Sequence, residues 1–283
     1  MKVRLFATEI YPLLKEISQL LTKFSIDSPQ AEAEHIIRHF LKISRSQIYL
    51  KPELSVAPEI LTDISSLLTK RCEHYPLQYL LGEVEFYNSN LKVTPDVLIP
   101  RPETELLVEL ILEENPAKFL KVCDIGTGSG AIAIALKKAR PDWQVTATDI
   151  SPSALKIARQ NAFDNNCQID FMLSDIYSDI NTKFDLIVSN PPYISESDYL
   201  LLESELFYEP KTALTASENG LFFYKKIIRY AHQYLNLPAS LYLEIGAEQS
   251  SQISKLADQA EAQKIIIKKD YNNFDRIMII NFS

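Results

Sequence analysis

Three of the six glycines in this 283-residue chain fall in one heptapeptide, Asp124-Ile125-Gly126-Thr127-Gly128-Ser129-Gly130. The residues before it, Phe119-Leu120-Lys121-Val122-Cys123, read as a buried strand. Those after it, Ala131-Ile132-Ala133-Ile134-Ala135-Leu136, open a helix. A strand that turns through glycines into a helix lets a ligand approach bare backbone at the helix N-terminus. A second strand, Gln144-Val145-Thr146-Ala147-Thr148, ends in Asp149, nineteen residues beyond Gly130. An acidic side chain at that place can accept hydrogen bonds from a ribose diol. Taken alone, the turn fits nicotinamide or flavin binding equally well.

A third strand, Phe184-Asp185-Leu186-Ile187-Val188-Ser189, runs into Asn190-Pro191-Pro192-Tyr193. Two prolines in succession fix φ and remove two backbone donors. A rim built from them shows carbonyl oxygens and few N–H groups, and Asn190 adds a side-chain oxygen that also accepts. Such a rim suits a guest that arrives as a donor, a planar amino group on an amide or a nucleobase. Tyr193 offers a flat face to stack on that plane. In an open parallel sheet the three strand termini meet at the carboxyl edge, where such folds bind ligands.

At this point the chain resembles a known family. The run "DIGTGSG", the acid after the second strand and "NPPY" are similar to class I S-adenosylmethionine-dependent methyltransferases acting on planar amino groups. Upstream, "PLQYLLGEVEF" (Pro76 to Phe86) and "VLIPRPETELLVE" (Val97 to Glu109) resemble the HemK-type branch, which modifies a glutamine in peptide chain release factors. The likeness runs from about Tyr75 to the C-terminus. It implies an α/β fold, a doubly wound Rossmann-like seven-stranded methyltransferase sheet whose last strand is antiparallel, with a small N-terminal helical bundle. It implies S-adenosyl-L-methionine as cofactor and transfer to the side-chain nitrogen (N5) of the Gly-Gly-Gln glutamine of release factors. Asn190 is the expected catalytic residue, and Asn190, Pro191, Pro192 and Tyr193 the substrate grip. Gly126, Thr127, Gly128, Ser129, Gly130, Asp149, Asp175, Ile176 and Asn190 are expected to hold the cofactor, with adenine contacts at Asp175 and Ile176.

Other segments supply the architecture. Ile10, Leu13, Leu14, Ile17, Leu20, Leu21 and Phe24 recur at helical spacing. Ser28-Pro29 reads as an N-cap with proline at the first helical position, starting a helix to about Leu41. A third helix is expected over Pro58 to Glu73, so residues 1–75 read as a small helical bundle, which is expected to help recognise the protein partner. Residues 76–116 read as a hairpin linker and connecting helix. The hairpin strands are Val84 to Tyr87 and Leu91 to Val93, turning at Asn88-Ser89-Asn90, where relatives usually carry glycine. Residues 117–283 form the methyltransferase domain. Its further helices are expected at 153–163, 220–234 and 248–260, and its further strands at 169–173, 240–245, 264–268 and 276–281. The last two strands are joined too closely for a parallel crossover and should pair antiparallel. The stretch "TASENGL" (Thr215 to Leu221) has less glycine than relatives and touches no residue given a role.

Composition limits the partners. Lys and Arg number 29 against 37 Asp and Glu, a net −8. Residues 1–85 hold ten of those bases and eleven of the acids, so the acidity lies mostly in the catalytic part. Nucleic acid therefore meets no global attraction. Cys72, Cys123 and Cys167 are widely spaced, without a C-x-x-C, and read as free thiols of a reducing compartment. With no membrane-length apolar stretch, a cytoplasmic monomer is expected, without membrane contact. His35 and His39 lack a third ligand, and no metal is expected. Two other readings stay open: an adenine-N6 methyltransferase gripping a flipped base, and a non-catalytic cofactor-binding adaptor.

Overall fold

The computed structural model describes residues 3–116 and 119–283. The expected start of the third segment at Ala117 lies outside the described residues. The chain forms two compact units, one of residues 1–82 with Ser204–Tyr208, the other of Glu83–Glu203 with Glu209–Ser283.

The first unit is helical: Ile10–Lys23, Pro29–Leu41, Arg45–Leu50, Pro58–Arg71 and Leu77–Leu81. Ile10, Leu13, Leu14, Ile17 and Leu21 form the buried stripe of the first helix and meet Ile36, Ile37, Ile64 and Leu68. Ser28 does not cap the second helix. Its φ of 49° is left-handed and its side chain makes no capping bond, whereas a capping hydroxyl is normally presented from the extended region. Periodicity misses Arg45–Leu50, a single amphipathic turn too short to show a repeat. Local chemistry marks it instead: Ser44 Oγ accepts from the Gln47 N–H and Gln47 Oε1 from the Ser44 N–H, a capping box. The unit ends at Gly82, seven residues beyond the boundary expected at Tyr75, because Leu77 and Leu81 are buried in its core. Within it the buried Arg71 meets Glu32 through Nε and Nη2, both at 2.8 Å, and Glu205 at 2.7 Å.

The second unit begins with an antiparallel hairpin, β1 (Glu83–Phe86) and β2 (Ser89–Lys92). The turn is Tyr87-Asn88, with φ of 43° and 58°. Expected turn residues Ser89 and Asn90 instead belong to β2, since Phe86 pairs with Ser89. After the helix Pro102–Glu114 come β3 (Lys121–Ile125), β4 (Gln144–Asp149), β5 (Asp170–Leu173), β6 (Phe184–Ser189), β7 (Leu235–Glu244), β8 (Lys264–Lys269) and β9 (Asp275–Phe282). They form one seven-stranded sheet in the order β5-β4-β3-β6-β7-β9-β8. All neighbours run parallel except β9, which is antiparallel to both β7 and β8.

Strand residues alternate between two cores, as a pleated sheet requires. Val122, Leu186, Val188, Ile277 and Ile279 face helices 102–114 and 131–139. Cys123, Ile125, Ile187, Leu241, Leu243, Met278 and Ile280 face helices 222–234 and 250–259. Burial on both faces explains the near-continuous apolar runs of β3 and β6. Among the described residues no helix is long and apolar enough to cross a membrane, and the three cysteines are free.

Candidate active site

The order of the sheet reverses at β3, with β4 on one side and β6 on the other. Ile125 pairs with Thr148 on β4 and with Ser189 on β6. The glycine turn, Asp149 and Asn190 therefore leave three adjacent strand ends in one direction, at the switch point where such sheets bind ligands. Asp149 pairs in turn with Leu173, bringing Ser174 and Asp175 alongside. The cleft there is lined by Gly126, Gly128, Asp149, Asp175, Ile176, Asn190, Pro191 and Pro192, together with Asp96, Val97, Leu98, Ile150 and Phe223.

Each part is held by visible bonds. Gly126 and Thr127 both donate backbone N–H groups to Thr148 O at 2.9 Å. Asp149 Oδ2 accepts from the Gly128 N–H at 2.8 Å, and Oδ1 from the Ser151 N–H at 2.9 Å. Burial raises the Asp149 pKa, against the lowering by those N–H groups. A Cβ built on Gly126 or Gly128 meets nothing within 4 Å, so the turn presents open backbone to the cleft. Ser189 has no nucleophile's setting, since its hydroxyl donates to Ile125 O at 2.7 Å and ties β6 to β3. Ile176 has a φ of 57°, rare for a β-branched residue, and is buried at the cleft wall.

Asn190 is the head of a buried chain. Its Nδ2 donates to Thr104 Oγ1 at 3.2 Å, and the Thr104 hydroxyl donates to Glu244 Oε2 at 2.6 Å. Thr104 and Glu244 are 4% and 2% exposed. Burial pushes the Glu244 carboxyl up to about 7, opposed by the Thr104 hydrogen bond and by Arg276. With Nδ2 engaged, Oδ1 is left as the acceptor.

Of the residues expected here, Thr127, Ser129, Gly130 and Tyr193 do not line the cleft. The Thr127 hydroxyl donates to buried Asp124 at 2.6 Å, Ser129 O accepts from Asn161 Nδ2 at 2.9 Å, and Gly130 packs on Ala158. They shape the turn from behind. Tyr193 packs against the core under helix 222–234, and burial raises its phenol to about 12. Its carbonyl accepts from Gln249 Nε2 at 3.0 Å. The loop is pinned further by Ile194, whose N–H donates to Leu214 O at 3.0 Å and whose carbonyl accepts from the Ala216 N–H at 2.8 Å. "TASENGL" thus does touch the loop: a Cβ on Gly220 would lie 2.1 Å from Tyr193 O.

Sequence reasoning missed Thr104 and Glu244 as partners, and also Glu209. The Glu209 carboxylate accepts from the Ile99 N–H at 3.0 Å and from Arg101, fastening the "IPRPET" segment. An isolated buried acid after an apolar strand was the available signal for Glu244. For Glu209 none was visible, because its partners lie more than a hundred residues away.

The fold and the cleft define a methyltransferase of the doubly wound class. Residues 102–242 match the family model "Methyltransferase small domain", and residues 12–82 match "PrmC N-terminal domain". A methyltransferase of known structure from Pyrococcus furiosus shares the fold, with a TM-score of 0.52 at 19% identity over 68% of this chain and 87% of that one. The release factor glutamine methyltransferase of Streptococcus pneumoniae is 46% identical over 224 residues, 77% of this chain and 79% of its own. That of Thermodesulfovibrio yellowstonii is 39% identical over 279 residues, 95% and 98% of the two chains. The chain belongs to the release factor glutamine methyltransferase family.

Proposed function

We propose that this protein transfers a methyl group from S-adenosylmethionine to the side-chain nitrogen of a glutamine in peptide chain release factors. The names of its relatives support the substrate. The observation that carries the chemistry is the orientation of Asn190: its Nδ2 donates to Thr104, which leaves Oδ1 as the acceptor, next in sequence to the carbonyl of Pro191. These two acceptors fit a primary amide nitrogen that brings two donors.

The cleft fits the cofactor. Gly126 and Gly128 would give open backbone for its methionine end, Asp149 would supply acceptors for its ribose, and Asp175, Ile176 and Ile150 would hold the adenine. When bound, it supplies an electrophilic methyl group on a sulfonium. An amide nitrogen is a weak nucleophile, its lone pair delocalised into the carbonyl, so the protein's contribution is placement. Asn190 Oδ1 and the Pro191 carbonyl accept the two N–H bonds and hold the nitrogen in line. Pro192 keeps the loop rigid, and the proton lost after transfer passes to water.

Asn190→Ala should abolish transfer while cofactor affinity, measured by calorimetry, stays within a few-fold; full turnover would remove the role assigned to Asn190. Labelled methyl transfer into purified release factor, DNA and RNA tests the substrate, and label entering only nucleic acid would overturn the reading. The helical unit is assigned to recognition of the protein substrate. Phe6 and Leu50 stand 74% and 77% exposed on it. Replacing both by serine should raise KM for the whole release factor but leave KM for a short glutamine peptide unchanged.

A further inference from the structure

We propose that Thr104 and Glu244 are positioning residues that decide which end of the Asn190 amide meets the substrate, an inference that rests on the glutamine reading above. A carboxamide is nearly symmetric in shape, and a half-turn of Asn190 would present an NH2 group to the donor it must grip. Rigid prolines cannot prevent that turn. Thr104 can, because it has a single hydroxyl hydrogen. That hydrogen is committed to Glu244 Oε2 at 2.6 Å, so toward Asn190 the oxygen shows only lone pairs. Only Nδ2 can satisfy them, at 3.2 Å. With Thr104 and Glu244 both buried, water does not supply a substitute partner, and a wrong orientation leaves buried polar groups unpaired.

The same chain predicts a dependence on the ionisation of Glu244. The groups acting on its carboxyl are Thr104, Arg101 and Glu103 near the start of helix 102–114, and Arg276 on β9. The Tyr193 phenol also feels its charge, and the Tyr224 hydroxyl donates to its backbone carbonyl at 2.9 Å. Burial outweighs the two arginines and raises the carboxyl to about 7. An ionised Glu244 can only accept, which fixes the Thr104 hydrogen in the productive direction. A protonated Glu244 can donate to Thr104 instead. The displaced hydroxyl hydrogen then turns toward Asn190, where only Oδ1 can receive it, and the amide is reversed.

The test is steady-state methylation of purified release factor by wild type, Thr104→Val, Thr104→Ser and Glu244→Gln across pH 5.5 to 8.5. Thr104→Val should lower kcat tenfold or more, with KM and cofactor affinity within about threefold, the pattern of an interaction used in the transition state. Thr104→Ser, which keeps the hydroxyl, should restore most of the rate. Wild type should lose kcat as pH falls through about 7, and Glu244→Gln, which accepts through Oε1 but does not titrate, should lack that acid limb. A Thr104→Val enzyme as fast as wild type, or an acid limb unchanged in Glu244→Gln, overturns the relay. Should Thr104→Val not fold, the other two variants decide it through the acid limb. A wild type that transfers no methyl to release factor refutes the functional reading instead. In that event the relay is read from the Asn190 side-chain amide by NMR, where equal proton exchange in wild type and Glu244→Gln between pH 6 and 8 would overturn it.

Discussion

A methyl group added at Gly220 would lie 2.1 Å from the Tyr193 carbonyl oxygen and 2.6 Å from Gln249 Nε2. The Gln249 side chain can turn aside but the Tyr193 backbone cannot, and the φ of 82° at this residue adds backbone strain to any side chain. Gly220→Ala should therefore push the Tyr193 backbone out of place and reach Asn190 through the rigid prolines between them. The expected outcome is a loss of ~1 kcal/mol or more of stability, seen in a urea midpoint, together with a fall in kcat at unchanged cofactor affinity. An unaltered kcat would show that the loop tolerates displacement at Tyr193. The residue scale also shows where sequence reasoning reaches its limit. Asn190, Asp149 and the cleft glycines were legible because their chemistry is local: a strand end followed by a proline pair, an acid or a glycine turn. The surroundings of the Tyr193 ring come from Arg276, Glu244 and Tyr224, residues distant in sequence that no local pattern names. The bond between Thr104 and Glu244 spans 140 residues and leaves no local signature.

At the scale of elements, hydrophobic periodicity located the long helices and most strands to within two residues, since each buries one stripe or alternating faces, but β7 begins five residues before the expected Ser240. Short elements depended on turn chemistry, and two of those expectations changed. The hairpin turns at Tyr87-Asn88, both left-handed, the geometry of a two-residue type I′ turn. Asparagine tolerates that region and glycine prefers it, so Asn88→Gly should raise stability by about 0.5 kcal/mol. The check is a higher urea midpoint at constant m. A lower midpoint would mean that the Asn88 side chain contributes more than its backbone costs. The capping box at Ser44 carries the opposite sign. Ser44→Ala removes the acceptor for the Gln47 N–H and should cost about 1 kcal/mol, detectable as a reduced thermal midpoint. An equivalent change at Ser28 should do little, because that hydroxyl caps nothing.

The molecule as a whole places two carboxyls where water cannot reach them. Asp124, at the end of β3, and Glu244, at the end of β7, are both raised to about 7 by burial, from ordinary values of 3.8 and 4.5. The parallel run β3-β6-β7 brings these ends to one edge, as the alternation of strands and helices implies, whereas the insertion of β9 between β7 and β8 rests on contacts that no local pattern encodes. Both shifts make the folded state hold a proton more tightly than the unfolded chain does. Between about pH 4.5 and 7 the native state therefore binds more protons, and stability falls as pH rises through that window. Asp270 and Asp275, held below their usual range by nearby N–H groups, hydroxyls and cations, act in the other direction and lose their contribution only at lower pH. Glu244→Gln removes one raised carboxyl. The difference in unfolding free energy between variant and wild type should then shift in the variant's favour by on the order of 1–3 kcal/mol from pH 5 to pH 8. Urea unfolding at the two pH values measures it, and a difference independent of pH would show that Glu244 ionises in the fold as freely as in the unfolded chain.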